Sequence, residues 1–294
     1  MKGTKFDFYK ANLGTKLKLF YEKPSFIFFY ISRFSKYNST KKFDSFIVSY
    51  PKSGRTWLQK MIIEAVRLEK SVELDIVDVS LINESIEDFP LLLSTHAGSS
   101  WEEKVRDEDE IDFQDLDNYK HGKTVYLYRD PRDILVSQYY HILHRTGYKK
   151  FDRDFLIQNK NVGLLKIIRF MNKWAEYTVK NSNLILSISY EGLKEDTFLQ
   201  MQKIFKQIAF EVSNDNILQA IENCTLEKMR KKESVKSDTP WNHSSGTNNP
   251  NAFHSRKGIS GEYKTFFNDK EVQYMDDLIK KELNPYYSTY FNHD

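Results

Sequence analysis

A single cysteine, Cys224, excludes any disulfide within this 294-residue chain, so a reducing compartment suits it. Proline and glycine are also sparse, at 7 and 11, and no stretch has the composition of a linker between two bodies. An excess of one charge is missing as well. The 44 Lys and Arg against 41 Asp and Glu leave a net charge of +3, too little to argue for a general nucleic-acid or membrane-surface binder, so any anion site must be local. The longest N-terminal apolar run, Ser25–Ser32, falls far short of the ~20 residues a spanning helix needs and ends at Arg33. It follows charged residues and lacks a small-residue cleavage site, so it reads as neither a membrane span nor a signal peptide. Internal repeats and clusters of His, Cys, Asp and Glu at metal-ligand spacing are absent too, so no metal is expected. What is present is a core: 40% hydrophobic and 15% aromatic residues suit a soluble, cytoplasmic, globular protein.

Short apolar, β-branched runs at 43–50, 91–95, 123–128 and 183–190 read as buried strands. Helical periodicity follows or separates them at 56–68, 132–145, 161–180 and 198–208. Strands alternating with helices predict a parallel sheet covered on both faces. One domain is expected over residues 1–294. The acidic stretch 105–117 reads as a solvated loop, and the Asn/Ser/Gly-rich stretch 239–258 as a long loop of the kind that often carries function.

The most informative stretch is VSYPKSGRTWLQKM, residues 48–61, where a buried strand meets a Pro-Lys-Ser-Gly turn and a helix follows at once. Such a turn exposes backbone N–H groups beside the positive end of a helix, and an anion is its natural ligand. In the familiar nucleotide cradle the lysine follows the last glycine; here Lys52 precedes Gly54, the only glycine of the turn, so an ordinary ATP or GTP cradle is disfavoured.

YPKSGRTW resembles the phosphosulfate-binding loop of the cytosolic-type sulfotransferases, and three further segments resemble that family in the same order. YLYRDPRDILVSQYYH (126–141) resembles its 3′-phosphate segment, with Arg129 and Ser137 at the gripping positions. LSISYEGLKED (186–196) resembles the strand and turn whose tyrosine lies beside adenine, here Tyr190. RKGISGEYKTFF (256–267) resembles the segment that closes over the 3′-phosphate. The resemblance covers about residues 43 to 285. It implies a P-loop-like three-layer α/β fold and a donor, 3′-phosphoadenosine 5′-phosphosulfate (PAPS), that leaves as 3′-phosphoadenosine 5′-phosphate (PAP).

A donor with two separated anionic groups needs two cationic sites bridged by an aromatic surface. Lys52, Ser53, Gly54, Arg55 and Thr56 are assigned to the 5′-phosphosulfate, and Arg129, Ser137, Arg256, Lys257 and Gly258 to the 3′-phosphate. The resemblance makes Trp57 the adenine platform. It carries the purine-packing segment onto CTLEKM (224–229), where Thr225 keeps a hydroxyl and Leu226 replaces a phenylalanine. His96, at a strand end in STHAG, is the candidate general base. Ser94 stands where the family has a lysine, and Ala97-Gly98 where it has an apolar-proline pair. Lys52 would stabilise the leaving bridging oxygen, with Ser137 holding it aside until the acceptor arrives. His141 lies where an acceptor-pocket residue is expected. Phe20 and Tyr21, in the N-terminal segment 1–42, are weaker acceptor-pocket candidates. The short dimer signature of many family members is not retained after Lys264, where Asn268, Asp269 and Gln273 stand in its last three positions. The acceptor is expected to be a small molecule bearing a hydroxyl or an amine. Two other readings stay open at this level: a phosphotransferase on a related cradle, and a non-catalytic nucleotide-binding protein on the same fold.

Overall fold

Four strands carry the architecture: β1 (Ser45–Ser49), β2 (Leu92–Thr95), β3 (Lys123–Tyr128) and β4 (Ile185–Ser189). The computed structural model describes residues 42–76, 78–97, 99, 115–145, 152–159, 162–234 and 249–291. The chain divides into two compact units, residues 1–42 and 43–294, and the sheet and its helices belong to the second. Phe20 and Tyr21 therefore lie outside the described residues, as do most of the acidic stretch and the first half, 239–248, of the loop that begins at Thr239.

All strand pairings are parallel, in the order β2-β1-β3-β4. The side chains of β1 alternate between two apolar clusters, which is why its sequence reads as one continuous apolar run. Phe46 and Val48 face a core that includes Tyr126, Ile134 and Trp174. Ile47 faces the other, with Leu58, Val125 and Met201. The first face is covered by helices α2 (Pro131–Arg145), α4 (Leu164–Lys180) and α10 (Asp269–Glu282). The second is covered by α1 (Arg55–Lys70), α6 (Thr197–Gln207) and α7 (Asn214–Asn223). Sheet and two helical layers form the three-layer α/β fold expected from the sequence. Shorter helices complete the set: α3 (Arg153–Gln158), α5 (Tyr190–Glu195), α8 (Leu226–Ser234) and α9 (Tyr263–Phe266).

The strand predicted at 123–128 is found with those bounds, the other three are trimmed at their ends, and the one predicted through Tyr190 stops at Ser189. Ser189 instead caps α5, accepting a hydrogen bond from the Gly192 N–H at 2.9 Å. The helical periodicity read from the sequence stops at Ile208, yet four further α-helices follow among the described residues. Asn268 and Asp269, two of the positions that depart from the family's dimer signature, begin α10, where Asn268 and Glu271 form a reciprocal capping box.

Register is what positions the site. Val48 pairs with Thr95, Ser49 with Leu127 and Tyr128 with Ser189, so the carboxyl ends of all four strands lie level. The chain leaves those ends into Lys52, His96, Arg129 and Tyr190. Because β2 and β3 flank β1 on opposite sides, the crevice beyond the strand ends is the usual ligand position of an open parallel sheet.

Candidate active site

The first loop is a tight turn closed by the Ser53 N–H on the Tyr50 carbonyl at 3.3 Å. Lys52 and Gly54 both take positive φ, 76° and 96°, the left-handed conformation that recurs in anion-binding loops. Gly54 has a second reason to be glycine: a Cβ there would lie 2.5 Å from the Tyr190 ring. Gly54 caps α1 without a side-chain hydrogen bond, and no acidic residue stands in the first turn. The positive end of the helix is therefore not neutralised by its own sequence.

Tyr190 is the hub around which the other segments meet. Its ring lies edge-on to Trp57 at 6.1 Å and beneath the Arg129 guanidinium at 4.4 Å. Its hydroxyl would be 3.4 Å from a Cβ at Gly258, which also takes positive φ. Arg129 ties three loops together, donating to the Lys52 carbonyl at 3.3 Å and to the Ile259 carbonyl at 2.8 Å. Trp57 Nε1 donates to the Cys224 carbonyl at 3.1 Å, and Leu226 reaches to within 3.9 Å of a Cβ position at Gly258. The sequence-predicted donor segments thus come together from positions more than 160 residues apart.

His96 sits at the end of β2 in a turn fixed by Ser99, whose N–H donates to the His96 carbonyl at 3.0 Å. Ala97 adopts φ 48° in that turn, an uncommon conformation for a residue with a Cβ. His96 Nδ1 is 2.8 Å from the Ser49 carbonyl. A carbonyl can only accept, so Nδ1 carries the proton and Nε2 is the basic nitrogen of the neutral ring. Ser94, at the family's lysine position, lies in the sheet with its side chain buried.

Lys52 Nζ is 3.4 Å from His141 Nδ1. An ammonium only donates, so in this contact the neutral His141 ring carries its proton on Nε2. The sequence places His141 toward the acceptor and Ser137 against the lysine. The structure brings His141 itself to Lys52, one helical turn after Ser137 on α2.

In the closing segment, the buried Arg256 forks onto Glu262, with one bond at 2.8 Å, and stacks over the Tyr140 ring at 4.0 Å. Lys257, about half exposed, reaches the same carboxylate at 3.1 Å. Burial raises the Glu262 pKa, but the hydrogen bonds and charges of Arg256 and Lys257 outweigh it and hold the group below its ordinary value. Asp133, fully buried on α2, accepts from the N–H groups of Gly261 at 2.7 Å and Tyr263 at 3.1 Å. Burial pushes its carboxyl pKa up, against the pull of Arg129.

The buried polar atoms without a hydrogen-bond partner among the described residues include three on these loops: Ser53 Oγ, Arg129 Nε and Arg256 Nε. Buried polar groups are normally satisfied, and these three, on the loops that converge here, could each take a bond from a polar ligand. Among the described residues no group of three or more His, Cys, Asp or Glu could hold a metal ion. No helix among them is long and apolar enough to cross a membrane.

Residues 42–286 match the family model for the sulfotransferase domain. The chain belongs to the sulfotransferase family. Relatives include flavonol 3-sulfotransferase of Flaveria bidentis, 25% identical over 82% of this chain and 81% of that protein. Amine sulfotransferase of Oryctolagus cuniculus is 24% identical over 83% of this chain and 81% of its own. Among solved structures, a mouse sulfotransferase complexed with PAP superposes with a TM-score of 0.58 at 19% identity, over 82% of this chain and 84% of that one. Retinol dehydratase in complex with androsterone and PAP superposes with a TM-score of 0.56 at 17% identity, over 81% and 80%. These structures share the P-loop-like fold.

The candidate site also contains residues that stand inside the sequence motifs but to which the sequence assigned no role. Asp133, Tyr140 and Glu262 each hold or face an arginine assigned from sequence. Asp133 was within reach of a sequence argument, since it stands four residues after Arg129, and 3.8 Å separates their charged atoms. Thr225 is used locally, accepting from the Lys228 N–H at 3.4 Å at the start of α8.

Proposed function

We propose that this sulfotransferase moves a sulfuryl group from PAPS to a hydroxyl or amine of a small-molecule acceptor, in the cytoplasm and without a metal ion. One observation carries the reading. The open anion cradle at Gly54, the arginine-bearing loops at Arg129 and Arg256 and the aromatic pair Trp57 and Tyr190 meet at the strand ends, and three buried polar atoms there lack partners. That is the donor set a bisanionic adenosine compound requires. In this reading the N–H groups of Gly54 to Thr56, with Lys52, Ser53 and Arg55, hold the 5′ end. Arg129, Ser137, Arg256, Lys257 and Gly258 hold the 3′-phosphate. Trp57, Tyr190, Thr225 and Leu226 flank the purine. Bound there, the donor supplies an activated sulfuryl group.

The chain's own residues supply the rest. His96 Nε2, basic because Nδ1 is committed to Ser49, takes the acceptor proton. The Lys52 ammonium, held by backbone strain in the loop and by His141, offsets charge on the departing bridging oxygen. A sulfuryl group bears less negative charge than a γ-phosphoryl group, so cationic side chains suffice where a kinase uses magnesium.

The test is transfer of labelled sulfate from PAPS, followed by mass spectrometry of a metabolite mixture for an added sulfuryl mass. The reading expects a labelled product with chelator present. No transfer to any acceptor by protein that binds PAP would overturn it.

A further inference from the structure

Glu233 stands in the last turn of α8, where the helix dipole opposes a negative charge, and it is 1% exposed. A buried carboxylate in that position is stable only through its contacts. They converge from two other parts of the fold. Lys60 Nζ, on α1, is 3.6 Å away. The His254 N–H donates at 2.7 Å to one carboxylate oxygen, and the Ser255 hydroxyl donates at 3.1 Å to the other. Three residues earlier on the same helix, Arg230 Nε donates to the Ser255 carbonyl at 3.1 Å. Ser255 therefore has its hydroxyl and its carbonyl both fixed by one helix face, immediately before Arg256.

Downstream, Asp133 fixes the N–H groups of Gly261 and Tyr263. The stretch from Arg256 to Ser260 is thus pinned at both ends by buried carboxylates, neither of them among the residues assigned to the donor. Glu233 joins the upstream pin to α1, the helix that grows out of the first loop.

We infer that Glu233 is a positioning residue, which sets the entry of the chain into Arg256, Lys257 and Gly258 and thereby the grip on the donor's 3′-phosphate. The inference rests on the PAPS reading above. Freeing the upstream end lets Arg256 leave its stack on Tyr140, while the cradle at Gly54, built from backbone and Tyr190, is untouched. The loss therefore falls on ligands that carry a 3′-phosphate.

Calorimetric titration of wild type, Glu233→Gln and Ser255→Ala with PAP and with adenosine 5′-phosphate tests this. Glu233→Gln is expected to weaken PAP about 10-fold and Ser255→Ala about 3-fold, the scale of one to two lost hydrogen bonds, with adenosine 5′-phosphate changed by less than about 2-fold. Ser255→Ala removes only a hydroxyl, so it decides the matter if the Glu233 variant does not fold. Equal losses for the two ligands, or PAP affinity unchanged in the folded variants, would overturn the inference. A wild type that binds neither ligand would instead overturn the donor reading.

Discussion

The loop at Lys52–Gly54 and the segment at Arg256–Glu262 are both read as anion grips, and they are built in opposite ways. The first is set by backbone: two positive φ angles, a glycine pressed against Tyr190, and a helix start without an acidic residue. The second is set by side chains, with Glu262 on both cations and Glu233 and Asp133 holding the ends. A grip made of backbone keeps its partial positive charge at all times. A grip made of arginine and lysine offers full charges, and the buried Arg256 needs a counter-charge while no ligand is bound. The difference teaches that substitutions at the first loop should strike chemistry and geometry, and those at the second affinity and pH response.

The largest effect expected lies in the first loop and beside it. Lys52→Ala should lower the transfer rate about 100- to 1000-fold, the usual cost of losing one stabilising donor at a developing charge. His96→Ala should cost about 100- to 10,000-fold as the general base is lost, with PAP affinity unchanged by calorimetry. Full activity in either variant would break the assignment. Next is Gly54→Ala, which meets the Tyr190 ring and must adopt φ 96°. A loss of about 2–4 kcal/mol in denaturant unfolding is expected, since backbone strain and overpacking add. An unchanged midpoint would mean that the loop does not need its glycine.

These positions are the ones the sequence makes legible, and the reason is physical. A strand-turn-helix junction with its lysine and glycine is contiguous, so local rules of turn and dipole read it directly. The partners of the second grip are not contiguous: Asp133 meets Gly261 across 128 residues and Glu233 meets Ser255 across 22. No local periodicity announces a carboxylate that will be buried by another segment. The helices after Ile208 were hidden for a related reason. α7 and α8 lie on the outside and bury only two residues each, so their apolar stripe is too thin to stand out. The sequence reads Tyr190 as the end of a strand, because the capping bond that the Gly192 N–H donates to Ser189 has no signature in the apolar run that precedes it. His141 stood out as a candidate, yet its partner, Lys52, is 89 residues away and only the fold brings them together.

The smallest effect belongs to the second grip. Glu262 is held below its ordinary value of 4.5, so its pairing with Arg256 and Lys257 stabilises the fold above that pH and is lost as pH falls through the depressed value. Glu262→Gln should therefore lower stability near neutral pH by about 1–2 kcal/mol, the scale of a hydrogen bond to a charged group. The gap between variant and wild type should close in acid. Thermal unfolding followed from pH 7 down to about 3 reads this. A gap that stays constant or widens in acid would show that the Glu262 charge contributes nothing to holding the segment.

The central claim is that the two grips, unlike in construction, serve one bisanionic adenosine ligand. Heat denaturation of the whole chain with PAP, and separately with ATP and magnesium, tests it most directly. At about 100 times its Kd, PAP should add about 2.7 kcal/mol of stability and raise the midpoint by several degrees, and ATP with magnesium should do little. Equal protection by the two, or none from PAP, would contradict the account.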